Sequence, residues 1–194
     1  MNDQQRVSLG PIVLFGSGET LTTSGKTHEF VARDLLDAPP RIAILETPAG
    51  FEPNSDRVAG KIKEFLARRI QNYTPQIDVL PARKRGTPFS PDQPEVVAPI
   101  LEANWILLGP GSPTYGARQL RGSLATEMIA ARHRLGATLM LSSSSTLAFG
   151  KYTMPVYEIY KVGEELHWKE GVDYFSRLGI PLVLIPHWDN SDGG

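Results

Sequence analysis

Short, continuously apolar runs recur along the chain, separated by longer stretches in which apolar residues return every three or four positions. The runs are 11–16 (PIVLFG), 41–46 (RIAILE), 77–80, 105–109 (WILLG), 137–141 and 181–186 (PLVLIP). Apolar runs this short, bounded by turn residues, predict strands buried on both faces. Between them the spacing predicts helices. Phe30, Val31 and Leu35 form one such pattern; Val58, Ile62, Phe65, Leu66 and Ile70, behind Ser55 as a cap, form another. A third helix is expected near 95–103, and a long one carries Leu120, Leu124, Met128 and Leu135. The stretch 152–168 alternates only partly and reads as a hairpin or an irregular excursion. Continuously apolar strands separated by helical segments predict an α/β fold, a three-layer sandwich with a mostly parallel central sheet of flavodoxin-like type.

Composition narrows the function classes. A chain of 194 residues suits one core, so 1–194 reads as a single α/β domain. Twenty basic residues stand against twenty-one acidic ones, which leaves no bulk field for nucleic acid or an anionic membrane. The short basic runs at 68–69 and 82–85 read as solvated surface. With no cysteine, disulfides, thiolate metal sites and a cysteine nucleophile are all excluded. No apolar run approaches the ~20 residues that span a bilayer, and MNDQQRVS lacks the apolar heart of a secretion signal. The default location is cytoplasmic. No clustered metal-ligand spacing occurs, the Asp/Asn run at 189–192 is too short for a calcium loop, and no cofactor is expected.

Ligands of parallel sheets bind outside the carboxyl ends of the strands. Those ends carry GSGET (16–20), ETPAG (46–50), GPGSP (109–113), SSSST (142–146) and HWDN (187–190). A strand turning into a helix through small hydroxyl residues is where α/β enzymes present a nucleophile, although serines there also serve as plain helix caps. Gly109 and Gly111 stand where an oxyanion hole needs unobstructed N–H groups, or where a tight turn needs glycine. His28 and His133 lie in charge-rich helical segments and read as surface residues, and His167 reads as structural. His187 follows a strand directly at the ligand edge, and imidazole is the side chain whose ordinary pKa suits a general base. Glu158 lies between Ser143 and His187 in the chain, giving the order Ser, acid, His; Asp189, Asp192 and Glu165 are alternative acids. Gly18, Glu19 and Ser112 are candidate substrate contacts on the same edge.

With these residues in view, the chain resembles the cyanophycinase and dipeptidase E family, peptidase S51, which are serine peptidases on the class I glutamine amidotransferase-like fold. FGSGET resembles the family's first glycine-rich strand end, WILLGPGSPTYGARQL its glycine turn and helix, LMLSSSSTLAF its nucleophile turn, and IPHWDN its histidine stretch. The resemblance implies Ser143 as nucleophile, His187 as base and Glu158 as orienting acid, with Gly111 and the Ser144 N–H as oxyanion hole. It also implies acidic peptides as substrates, for which Arg83, Arg85 and Arg118 are candidate binders. The family turn usually reads Ser-Ala-Gly-Ala, whereas Ser143 is followed here by Ser-Ser-Thr, and Ser144 is an alternative register for the nucleophile. The chain ends at Gly194, where the family implies a further strand and helix, so the domain is either cut short there or complete without them.

The leading expectation is therefore a serine hydrolase of peptide or related amide bonds, with a small peptide or amide as its partner and a homodimer as a candidate assembly. The alternative is a catalytically inactive amidotransferase-like domain that binds a small metabolite or a protein. A third reading, nucleotide binding, would use Gly16-Ser17-Gly18 for phosphate and Glu46 for ribose.

Overall fold

The computed structural model describes residues 8–188. Five strands, β1 (Ile12–Phe15), β2 (Arg41–Leu45), β3 (Gln76–Leu80), β4 (Trp105–Leu108) and β5 (Thr138–Ser142), make one sheet. Their order is β1-β5-β4-β2-β3, and every pairing is parallel. Side chains alternate across each strand, so a continuously apolar run feeds two cores. Ile42, Ile44, Trp105, Leu107 and Met140 face one side, while Ala43, Leu45, Ile106, Leu108, Leu139 and Leu141 face the other.

Two helices cover the first face. They are α1 (Gly25–Phe30), which continues as a wider turn through Val31–Leu35, and α2 (Ser55–Arg69). Val31, Ala32, Ala59, Ile62, Leu66 and Ile70 are the residues they bury there. The second face is covered by α3 (Pro94–Val97), α4 (Pro113–Leu120), α5 (Leu124–Arg134) and α6 (Ser144–Ala148) through Val97, Ala117, Leu120, Ala125, Ile129 and Ala148. Helices following β1 and β2 thus lie opposite those following β5 and β4. Because β1 neighbours β5 and β2 neighbours β4, the connections part at both places and open a crevice above the strand ends.

Several expectations are corrected. The run 181–186 joins no sheet ladder among the described residues, its Pro181 and Pro186 having no N–H to give; the Leu182 carbonyl accepts from the Lys151 N–H at 2.7 Å. The long helix through 113–135 is two helices, broken where Gly122 takes φ 64° and Ser123 caps α5 by accepting from the Thr126 N–H. The helix near 95–103 is the short α3 followed by a tighter turn over Ala98–Glu102, with Pro99 inside it. Ser55 does not cap α2; its hydroxyl donates to Glu46. The stretch 152–168, read as a hairpin or an irregular excursion, agrees with the structure: β6 (Tyr152–Thr153) pairs antiparallel with β7 (Lys169–Glu170), just beyond it, around an irregular turn at Glu158–Val162. Among the described residues no helix is long and apolar enough to cross a membrane.

His28 and His133 are not on the surface. Both are fully buried. The His28 ring stacks on Phe15 and Trp105 and meets Phe65 edge-on, and its Nε2 lies 2.7 Å from the Glu19 carbonyl. His133 Nε2 lies 2.6 Å from the Gly10 carbonyl, with the Tyr174 hydroxyl 3.0 Å from its Nδ1. Burial holds both imidazoles below the ordinary histidine value and keeps them neutral in the fold. The unfolded chain takes up protons near pH ~6.5, so on acidification through that value it binds more protons than the folded state, and stability falls. Urea midpoints should therefore drop between about pH 7.5 and about pH 5.5, and drop less in His133→Gln. Equal drops in the two proteins would contradict this.

Candidate active site

The parallel ladder continues one residue past β5. The Ser143 N–H donates to the Phe15 carbonyl at 3.0 Å, after which the chain must turn at once into α6. Ser143 makes that turn at φ 54° and ψ −119°, a conformation that costs a residue with a Cβ on the order of 1–3 kcal/mol. No glycine is present to lower the cost, and the neighbouring hydroxyls supply the hold. Ser142 Oγ donates to Glu19 Oε2 at 2.6 Å, and Ser145 Oγ donates to the Gly109 carbonyl at 2.6 Å. Thr146 Oγ1 is shared between the carbonyls of Phe15 and Leu141 at 3.0 and 3.1 Å. Each such bond is worth about 1 kcal/mol net, so three of them match the strain.

The segment after Pro186 brings in the second group. His187, itself at φ 64°, passes so close to the end of β1 that a Cβ on Gly16 would lie 3.4 Å from its backbone nitrogen. Its Nε2 lies 2.7 Å from Ser143 Oγ. With the imidazole neutral and its proton on Nδ1, the hydroxyl donates to Nε2, which is the geometry of a nucleophile and its base.

Two backbone N–H groups stand on the loops beside this turn. Ser144 opens α6, where the first N–H groups have no helical acceptor. Gly111 lies in the loop after β4, pressed on the turn after β2: a Cβ there would stand 2.0 Å from the Pro48 carbonyl oxygen, so only glycine fits. Neither N–H donates to another group among the described residues. Ser112, next along, donates its N–H to that Pro48 carbonyl at 2.9 Å and caps α4 by accepting from the Tyr115 N–H at 3.1 Å.

No protein-family model matches the sequence, and a search of curated proteins gives no match. Solved structures do match. A peptidase from an acI-B1 actinobacterium superposes with a TM-score of 0.77 at 21% identity, over 97% of this chain and 72% of that one. A putative peptidase E protein from Listeria monocytogenes EGD-e superposes with a TM-score of 0.63 at 11% identity, over 95% of this chain and 82% of that one. The chain has the fold of these peptidases.

The structure brings together Ser143 and His187, with Ser144 next in the chain, and ties the glycine loop after β4 to the same turn through the bond from Ser145 Oγ to the Gly109 carbonyl; the other candidates have the following places. Glu158 Oε1 accepts from Thr114 Oγ1 at 2.7 Å, while its Oε2 is buried with no hydrogen-bond partner among the described residues. This carboxylate is therefore held on the first turn of α4 and not by the imidazole, because the excursion after β6 folds back onto that helix. Asp189 and Asp192 lie outside the described residues. Glu165 offers its main-chain carbonyl to His167 Nδ1 at 2.8 Å. Gly18, at φ 73°, forms a turn whose carbonyl accepts from the Leu21 N–H and from Ser24 Oγ. Glu19 is buried on Ser142.

Glu46 is buried, and its Oε2 accepts from Ser55 Oγ at 2.9 Å and from Arg83 Nε at 2.6 Å, which ties this carboxylate into the fold. Arg83 is committed to that pair and Arg85 to Asp92, whereas Arg118 lies over the Tyr115 ring. Sequence reasoning missed Thr114 and a cavity of about 420 Å³ lined by Thr114, Arg118, Arg121, Glu158, Lys169 and Glu170. Its members come from α4, the excursion and β7, a grouping with no local sequence signal. Among the described residues no three side chains are grouped to hold a metal ion.

The strained turn generates a prediction separate from catalysis. Ser143→Ala keeps the Cβ and the strain, while Ser143→Gly removes both. The glycine variant should be about 1 kcal/mol more stable than the alanine variant, roughly 2–4 °C in melting temperature for a chain of this size. A glycine variant no more stable than the alanine variant would show that the turn carries no strain.

Proposed function

We propose that this protein is a serine hydrolase of the peptidase S51 type, cleaving peptide or related amide bonds through an acyl-enzyme on Ser143. The observation that carries the reading is the 2.7 Å contact between Ser143 Oγ and His187 Nε2, made at a strand-to-helix turn that opens on the Ser144 N–H, which donates to no other group among the described residues. Ser143 Oγ attacks the carbonyl carbon as its proton passes to Nε2. The N–H groups of Gly111 and Ser144 hold the oxygen as it gains charge. Collapse breaks the C–N bond, the amine leaves with the proton from Nε2, and water then hydrolyses the ester by the same base.

The fold shared with solved peptidases supports this class. An orienting role for Glu158 is not part of the proposal, since its hydrogen bond goes to Thr114. The substrates proposed are small acidic peptides or amides. In the cavity beyond Thr114, three cations face two acids, and one of those acids, Glu170, is already paired with Arg121.

A fluorophosphonate probe together with a library of aspartyl and other short peptides tests the reading. Labelling should map to Ser143, vanish in Ser143→Ala, and fall by at least about a hundredfold in His187→Ala, with Ser144→Ala still labelled. Glu158→Gln should label within about threefold of the parent, whereas loss of an orienting acid would cost about 10⁴. Labelling that survives Ser143→Ala, or a protein that neither labels nor cleaves any peptide, would overturn the proposal.

A further inference from the structure

The hydrogen bond between Ser142 and Glu19 joins residues 123 positions apart and sits directly before the strained residue. Ser142 is the last residue of β5 and is fully buried. A buried hydroxyl at that place needs a partner, and a water-filled or main-chain acceptor would satisfy it. The chain instead buries a whole glutamate side chain, 8% exposed, to receive it. Hydrogen bonds to a charged acceptor are about twice as strong as neutral ones and hold geometry more tightly.

The acceptor is itself anchored. The buried His28 ring, fixed by Phe15, Trp105 and Phe65 in the core, lies with Nε2 2.7 Å from the Glu19 carbonyl, and a neutral imidazole protonated there donates to it. On its other side, the Gly18 turn is tied by Ser24 Oγ at 2.5 Å. A continuous line therefore runs from the hydrophobic core through His28 and Glu19 to Ser142, and from there one peptide unit to Ser143.

We infer that Glu19 is a positioning residue, which acts through the Ser142 hydroxyl to fix where the nucleophile turn begins and so where Ser143 Oγ stands against His187. The inference rests on the hydrolase reading for its consequence, but not for its geometry. Glu19 stands at the ligand edge in the sequence, where a substrate contact is the natural expectation, yet its carboxylate is spent inside the fold. The line also accounts for a turn that forms without glycine: the hydroxyl residue preceding the nucleophile receives a charged anchor in place of the conformational freedom a glycine would have supplied.

The test uses Glu19→Ala, Glu19→Gln, Ser142→Ala and the Glu19→Ala/Ser142→Ala double variant of the full chain, with two readouts. The first is the rate at which the fluorophosphonate labels Ser143. Either alanine variant should slow it by at least about tenfold. The double variant should be no slower than the worse single one, because the two residues act as a unit. Glu19→Gln should recover most of the rate, since its amide oxygen can still accept from Ser142.

The second readout is amide hydrogen exchange, which needs no activity. Exchange across residues 142–147 should quicken by at least about tenfold in the alanine variants while β2 and β4 keep their protection. Labelling at the parental rate with unchanged exchange would overturn the inference, as would effects that multiply in the double variant. If the parent protein itself does not label, the hydrolase reading falls and the exchange result alone decides the role of Glu19. If Glu19→Ala does not fold, Ser142→Ala carries both readouts.

Discussion

One residue's backbone governs this structure. Ser143 is held at φ 54° and ψ −119°, and that conformation lets a side chain at the end of a buried strand stand in the open crevice, with the Ser144 N–H donating to nothing among the described residues. Hydrogen bonds from several directions hold it: the ladder to Phe15, the Ser142 hydroxyl on Glu19, Ser145 on the Gly109 carbonyl, and Thr146 on Phe15 and Leu141. Strain of this kind persists only where its surroundings over-determine it. Here the surroundings are the ends of β1, β4 and β5, so the turn draws on the rigidity of the sheet itself.

The order of strands explains why the groups meet. Placing β5 between β1 and β4 sets the serine turn beside the glycine loop of β4 on one side and the end of β1 on the other. His187 arrives at β1 through a segment held to the body by Lys151 and by the partly buried Leu182 and Leu184. Gly111 is forced against Pro48, which couples the β4 loop to the turn after β2. The second crevice, between β2 and β4, is thereby used to fix a donor loop. The buried Glu46 and Ser55 and the half-buried Arg83 are bonded to one another beside it.

Much of this was legible from residue order alone. The three inner strands, β2, β4 and β5, announce themselves because they are buried on both faces and so are apolar almost throughout, while the edge strands β1 and β3 are only partly buried and β3 carries Gln76 and Asp78. The serine cluster could be placed at the ligand edge because it directly follows the apolar run of β5, and His187 because it follows the apolar run 181–186, although that run is not a strand of the sheet. What escaped depends on neighbours distant in sequence. His28 sits between charged and polar residues that do face outward, yet a helix turns one position in three or four inward, and that position was the histidine. Residues 181–186 have the apolar content of a strand, but Pro181 and Pro186 have no N–H to give to a ladder. Glu158 stands at the right place in the order of residues, and its partner is decided by the path of an irregular excursion that no periodicity encodes. The run of hydroxyls likewise hid a division of labour, since four of its five members have separate partners and Ser144 Oγ has none among the described residues.

The central claim is that Ser143, His187 and the two N–H groups form one working unit. A crystal structure of the phosphonylated protein measures it most directly. The account predicts phosphorus bonded to Ser143 Oγ, with its charged oxygen about 2.7–3.1 Å from the nitrogens of both Gly111 and Ser144. An adduct on another residue, or a phosphonyl oxygen turned to solvent and away from both nitrogens, would contradict it.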